Sequence, residues 1–185
     1  CIRDRVMITQ FAEAESTGPG CQAITQAFLG KALLKQGAFT KARPWLESAV
    51  EWARVHGNTL PRDLTRWRSW EAAQNLGLIL QDAGEMDAAI DLLEWAFTSN
   101  DEYIRTNDAL SASRIRTAGS AWALARALAS DEPAQTARRT EVLRRAAELL
   151  DDPSVQSKLL PDERAMREAI GEMLDGSPPP SASGS

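Results

Sequence analysis

Gly77, one place after Leu76, opens a register that this chain uses more than once, and a repeat of that length leaves few folds open. Residues 72–96 read "AAQNLGLILQDAGEMDAAIDLLEWA", with Gly84, Ala89, Leu93 and Ala96 following. Residues 27–53, "AFLGKALLKQGAFTKARPWLESAVEWA", carry Gly30, Gly37, Ala42, Leu46 and Ala49 at the same five places without a gap. A third copy begins at "AWALARALA", where Leu124 and Ala125 stand for Leu-Gly. With two extra residues near Pro133, Leu143 and Ala146 take its later places; Arg139 replaces the alanine and the turn glycine is missing. Gly77 lies 47 residues after Gly30, and Ala125 lies 48 after Gly77. A period of that size is the mark of stacked helical pairs.

Each copy reads as a first helix, a tight turn and a second helix. The small residue in the first helix lets two backbones approach closely. Ala42, Leu46 and Ala49 follow the i, i+4, i+7 spacing of one buried helical face. Gly37 and Gly84 suit the left-handed residue that ends a helix, and Thr40 and Asp87 are expected to cap the next one. Pro44 lies close to its helix start, where a missing N–H costs least. "HGNTLPRD" (56–63) and "TSNDE" (98–102) are expected as connectors, with 63–83 and 103–129 each nearly continuous helix. The expected organisation is the tail of a preceding helix plus a turn over 1–19 and three pairs within 20–156, at about 20–57, 63–99 and 103–151. A capping helix over 157–175, with Met166, Ile170 and Met173 along one side, and a disordered tail over 176–185 complete it.

The register resembles the tetratricopeptide repeat, through Leu76-Gly77-Leu80 with Ala89-Leu93-Ala96, and Leu29-Gly30-Leu33 with Ala42-Leu46-Ala49. "ARPWLESA" is similar to the variant with proline early in the second helix. The resemblance covers roughly residues 20–150, and the period departs from the family's usual length of about 34. It implies an all-α fold, a right-handed superhelical array of antiparallel helix pairs, with first-helix side chains facing a shared concave groove. The groove places hold Phe28, Lys31 and Lys35 in the first copy, Gln74, Asn75, Leu78 and Asp82 in the second, and Trp122 and Arg126 in the third; the alternative for Phe28 and Trp122 is the core between repeats, and for Asn75 a bond to a local backbone group. An amide at Asn75 can both donate to and accept from an extended peptide backbone. Aromatic and cationic neighbours favour an acidic or carboxylate-ended peptide. The family's two-carboxylate clamp is not expected, because Ala27 and Lys31 stand where it has Lys and Asn.

Chemistry beyond binding has little to stand on. His56 is the single histidine and is expected at the surface or at a helix end, and neither a phosphate loop nor a nucleophile elbow occurs. Cys1 and Cys21 form no CxxC pair, so no metal and no cofactor is expected. The net charge of −5 argues against general nucleic-acid binding. Between Arg105 and Arg145, however, eight arginines face four acids. Of the six tryptophans, Trp45, Trp52 and Trp95 are expected to fill gaps between neighbouring pairs, and Trp67 and Trp70 to pack the start of a long helix.

The expected function is a non-catalytic protein–protein interaction scaffold, freestanding or cut from a larger protein. The alternative is the sensor or regulatory arm of a bacterial signalling protein, and nucleic-acid binding through the arginine-rich third copy ranks below both. No membrane span is expected. The expected compartment is the cytoplasm, or a lipid anchor at Cys1 if that residue opens a mature lipoprotein.

Overall fold

The computed structural model describes residues 19–56, 64–107, 110–128 and 132–176. Every regular element among them is helical: α1 (Pro19–Lys35), α2 (Phe39–His56), α3 (Leu64–Asp82), α4 (Met86–Thr106), α5 (Ser111–Ala127), α6 (Pro133–Asp151), α7 (Pro153–Gln156) and α8 (Pro161–Leu174). The expected preceding helix over 1–15, its turn, and the tail beyond 176 lie outside the described residues, as does most of the 56–63 connector. The chain divides into two compact units, residues 1–92 and 93–185.

The turn glycines act as the sequence predicts. Gly37 has φ 70° and Gly84 φ 78°. In the first turn the Gly37 N–H donates to Leu34 O (2.9 Å) and the Ala38 N–H to Leu33 O (2.9 Å). In the second, Gly84 donates to Gln81 O (3.1 Å) and Glu85 to Leu80 O (2.9 Å). Both are Schellman closures, which satisfy carbonyls left open at a helix end. The turn is so short that its last residue is also the first residue of the next helix boundary: Ala42 N–H bonds Ala38 O, and Ala89 N–H bonds Glu85 O, each at 3.0 Å. Thr40 and Asp87 therefore fall inside the first turns of α2 and α4 and do not cap them.

The second pair runs longer than expected. "TSNDE" is helical, within α4, which ends at Thr106, and α5 begins at Ser111, so 103–129 is not one helix and the third pair begins at Ser111. The polar side chains that suggested a loop fold back onto carbonyls one turn earlier: Thr98 Oγ1 to Glu94 O (2.8 Å) and Asn100 Nδ2 to Ala96 O (2.8 Å). Such local bonds let Thr and Asn sit in a helix that tertiary contacts have already fixed.

In the first unit, Ala42, Leu46, Ala49 and Ala53 of α2 are buried against α1. A Cβ on Gly30 would lie 2.6 Å from both Leu46 Cγ and Cδ2, so the small residue is required by close approach. α3 packs on both α1 and α2. In the second unit, α5 presents Ala118, Ala121, Leu124 and Ala125 as buried residues, and α6 presents Val142, Leu143, Ala146, Leu149 and Leu150. α8 packs on α6 through buried Ile170, with Met166 and Met173 half-buried beside it. The Asp152 side chain caps α7, accepting from Ser154 N (2.8 Å) and Ser154 Oγ (2.6 Å).

Candidate binding surface

On α3 the residues at 69, 70, 72, 73, 76, 77, 79 and 80 are all buried. Arg68, Glu71, Gln74, Asn75, Leu78, Gln81 and Asp82 remain at least partly accessible, and among them Arg68, Glu71, Asn75, Leu78 and Asp82 fall at helical spacing. α1 runs beside it in constant parallel register, because Phe28 meets Arg68 and Lys31 meets Glu71, both 40 residues on. The Arg68 guanidinium carbon lies 4.1 Å from the centroid of the Phe28 ring, a cation–π contact. The Lys31 ammonium and Arg68 Nη1 (2.7 Å) both donate to the Glu71 carboxylate. Burial alone pushes the Glu71 carboxyl up, yet hydrogen bonds from Lys31 and Arg68, with their charges, outweigh it and hold the group below its ordinary value.

Two polar atoms in this surface are buried without a partner, Asn75 Nδ2 and Arg68 Nε. The amide is the sharper case, since a neutral donor removed from water and left unbonded costs about 1–3 kcal/mol. Phe28 is 45% exposed, so it belongs to the surface and not to the core between helices.

The structure thus joins Phe28 and Lys31 of α1 through α3 residues. Gln74, Asn75 and Leu78 are half-buried on the accessible side of α3, and Lys35 and Asp82 are exposed at the last turns of their helices. Trp122, half-buried, and Arg126, exposed, stand on α5 in the second unit. Sequence reading missed Arg68 and Glu71, which tie the two helices together. Their spacing of three, with Asn75 four further on, places them on one helix face, but nothing local shows that α1 supplies their partners.

Among the described residues, ion pairs hold Arg105 to Asp101 (2.8 Å), Arg114 to Asp152 (3.4 Å), Arg138 to Glu94 and Glu141, and Arg145 to Asp101 (2.7 Å) and Glu148 (2.9 Å). These pairs neutralise part of the basic excess of the sequence. His56, at the end of α2, stacks on Trp52 (4.7 Å between centroids), and its Nδ1 lies 2.9 Å from Trp52 O. Trp70 is buried, as expected, while Trp45 is 41% exposed and does not fill a gap; the side chain of Trp67 lies outside the described residues.

Comparison with known proteins gives no match to a family model, to a curated protein or to a solved structure. Among the described residues, no helix is long and apolar enough to cross a membrane, and no group of three or more His, Cys, Asp or Glu could hold a metal ion.

Proposed function

We propose that the chain is a non-catalytic interaction scaffold of the tetratricopeptide type, an array of helix pairs that winds as a right-handed superhelix and holds a peptide or partner helix along its first helices. The observation that carries this reading is the α3 stripe. It sets a buried, unpartnered amide, Asn75, one turn after Glu71 and its ion-pair partners, beside exposed Phe28. With its side chain turned outward from this half-buried place, Asn75 would donate to a peptide carbonyl without regard to peptide sequence and relieve the unpartnered Nδ2. Lys31 and Arg68 would select for a carboxylate that competes with or joins Glu71. The parallel register of α1 and α3 and the recurring Schellman turns support the array geometry, because both follow from repeating one unit with the same hand.

The test is affinity co-purification from the native host with identification by mass spectrometry, comparing the chain with a Phe28→Ala, Asn75→Ala variant. Both side chains lie outside the buried apolar core, so the variant is expected to keep its helicity by circular dichroism. A protein enriched by the first and lost by the second supports the first-helix surface as the binding site. Retention of every partner by both would falsify it.

A further inference from the structure

The helix α5, "SASRIRTAGSAWALARA", carries three arginines and no acid. Ten of its residues are buried, and six of the other seven share one face: Ala112, Ile115, Arg116, Gly119, Trp122 and Arg126. At 3.6 residues per turn these six fall within about 120° of one another around the helix axis. The seventh, Arg114, is turned away from them, with Nη1 lying 3.4 Å from the Asp152 carboxylate. The face is the α3 stripe rewritten. Counting 48 residues back, Arg116 corresponds to Arg68, but Gly119 stands in the place of Glu71, Trp122 in that of Gln74, Ala123 in that of Asn75 and Arg126 in that of Leu78. The acid that gathers Lys31 and Arg68 in the first unit therefore has no counterpart on α5.

These changes alter what the face can hold. Its charge is of one sign, and Arg126, exposed in the last turn, offers a planar fork that matches a carboxylate. The group that could read a peptide backbone is gone, because Ala123 in the place of Asn75 is only 4% exposed. Between the two arginines, Trp122 is the one accessible side chain that can hydrogen-bond, and it has a single donor. An extended segment laid there would leave main-chain groups unpaired against apolar surface, at about 1–3 kcal/mol each. A helix bonds its own main chain and incurs no such loss. Gly119, midway between Ile115 and Trp122, lowers the floor of the face, as two helices that cross closely require. The chain already uses this device at Gly30, where Leu46 fills the place a Cβ would take.

We propose that the accessible face of α5 seats an acidic amphipathic helix of a partner protein, with its apolar stripe over Gly119 between Ile115 and Trp122 and a carboxylate on Arg126. The inference rests on the reading of the first helices as the binding side, and it uses none of the α3 side chains. It gives the second unit a partner of another form: α3 offers an amide to a peptide main chain, whereas α5 offers a notch, two apolar ridges and positive charge to side chains alone. A nucleic acid would engage Arg126 and leave the apolar floor unused, so apolar side chains between the acids are what set the proposed partner apart.

The probe is a fluorescein-labelled helical peptide of alanine, glutamate and leucine, with leucines at i, i+4 and i+7 and glutamates beside them, titrated with the whole chain and followed by anisotropy. Control peptides exchange the glutamates for lysine, exchange the leucines for glutamine, or carry a proline at mid-helix. The acidic helix alone is expected to bind. Arg126→Glu, an exposed change checked for equal helicity by circular dichroism, should weaken it about tenfold and let the lysine peptide bind better than it binds the parent chain. Gly119→Leu, which fills the notch, should weaken the acidic helix as well. The Phe28→Ala, Asn75→Ala variant should leave its affinity unchanged, so loss of the α3 site and loss of this one are read separately. Failure of the acidic helix to bind overturns the proposal. Equal binding of the proline peptide, which points to an extended segment, overturns it too, as does equal binding of the glutamine peptide, which points to charge alone. Weakening by the Phe28→Ala, Asn75→Ala variant in place of Arg126→Glu puts the probe on α3 and sinks the assignment. A dimer of the unliganded chain that Arg126→Glu dissociates in sedimentation identifies a second copy as the occupant and also overturns it.

Discussion

Gly30 and Gly37 look alike in the sequence and differ in what holds them. A methyl at Gly30 meets Leu46 at 2.6 Å, whereas around Gly37 there is open space and the constraint is its φ of 70°. Gly30→Ala is expected to cost about 1–3 kcal/mol through overpacking, and Gly37→Ala about 1–2 kcal/mol through left-handed backbone strain. A double-mutant cycle separates the two causes: in a Leu46→Ala background the Gly30 penalty should shrink, because the clashing atoms are gone, while the Gly37 penalty should stay. Equal penalties in both backgrounds would contradict the close-approach account. Glu71 gives a second prediction at this scale. Its folded pKa is depressed, so its contribution is present above the unfolded carboxylate value of about 4.3 and is lost as pH falls through the folded one. Denaturant midpoints measured from pH 7 down to pH 3 should converge for the chain and its Glu71→Gln variant. A gap that stays constant with pH would assign the loss to packing instead.

At the scale of the helix, contacts between elements decide what local sequence leaves open. The Schellman turns were legible because a glycine, a spacing and a following helical pattern are all local. The continuation of α4 through Thr98, Ser99, Asn100 and Asp101 was not, because Asp101 is only 6% exposed and is held by Arg105 on its own helix and Arg145 on α6. A residue that reads as loop punctuation is in fact one rung of the α4–α6 contact. The repeat register puts Phe28 and Lys31 at first-helix places but leaves open whether Phe28 faces the groove or the core between pairs, and Arg68 and Glu71 are not legible at all, since only the 40-residue register of α1 on α3 gives them partners. The same reasoning predicts an asymmetry among the carboxylates around Arg145. Asp101→Ala should destabilise by about 1–3 kcal/mol, leaving an arginine pair short of its buried acceptor. Glu148→Ala, at an exposed partner of the same arginine, should stay within about 0.5 kcal/mol. Urea unfolding of the two variants measures the difference, and comparable losses would mean that the α4–α6 rung contributes no more than a surface ion pair.

For the whole chain, a repeat architecture changes what a core substitution does. In a domain with one core, removing a large buried side chain lowers every deeply protected amide alike, because they exchange only through global unfolding. In a repeat array, stability is close to a sum of units and their neighbouring interfaces, so damage stays near where it is made. This chain has two compact units, each with its own buried centre: Leu46 with the alanines of α2 in one, and Leu124, Val142, Leu149, Leu150 and Ile170 in the other. Leu46→Ala is expected to cost about 2–5 kcal/mol, and hydrogen exchange with mass spectrometry should show that loss in peptides from α1, α2 and α3. Peptides from α5, α6 and α8 should keep most of their protection. Leu149→Ala should give the reverse pattern. If both substitutions lower protection uniformly along the chain, the two units unfold as one cooperative body, and the repeat register would describe how the chain is built without describing how it comes apart.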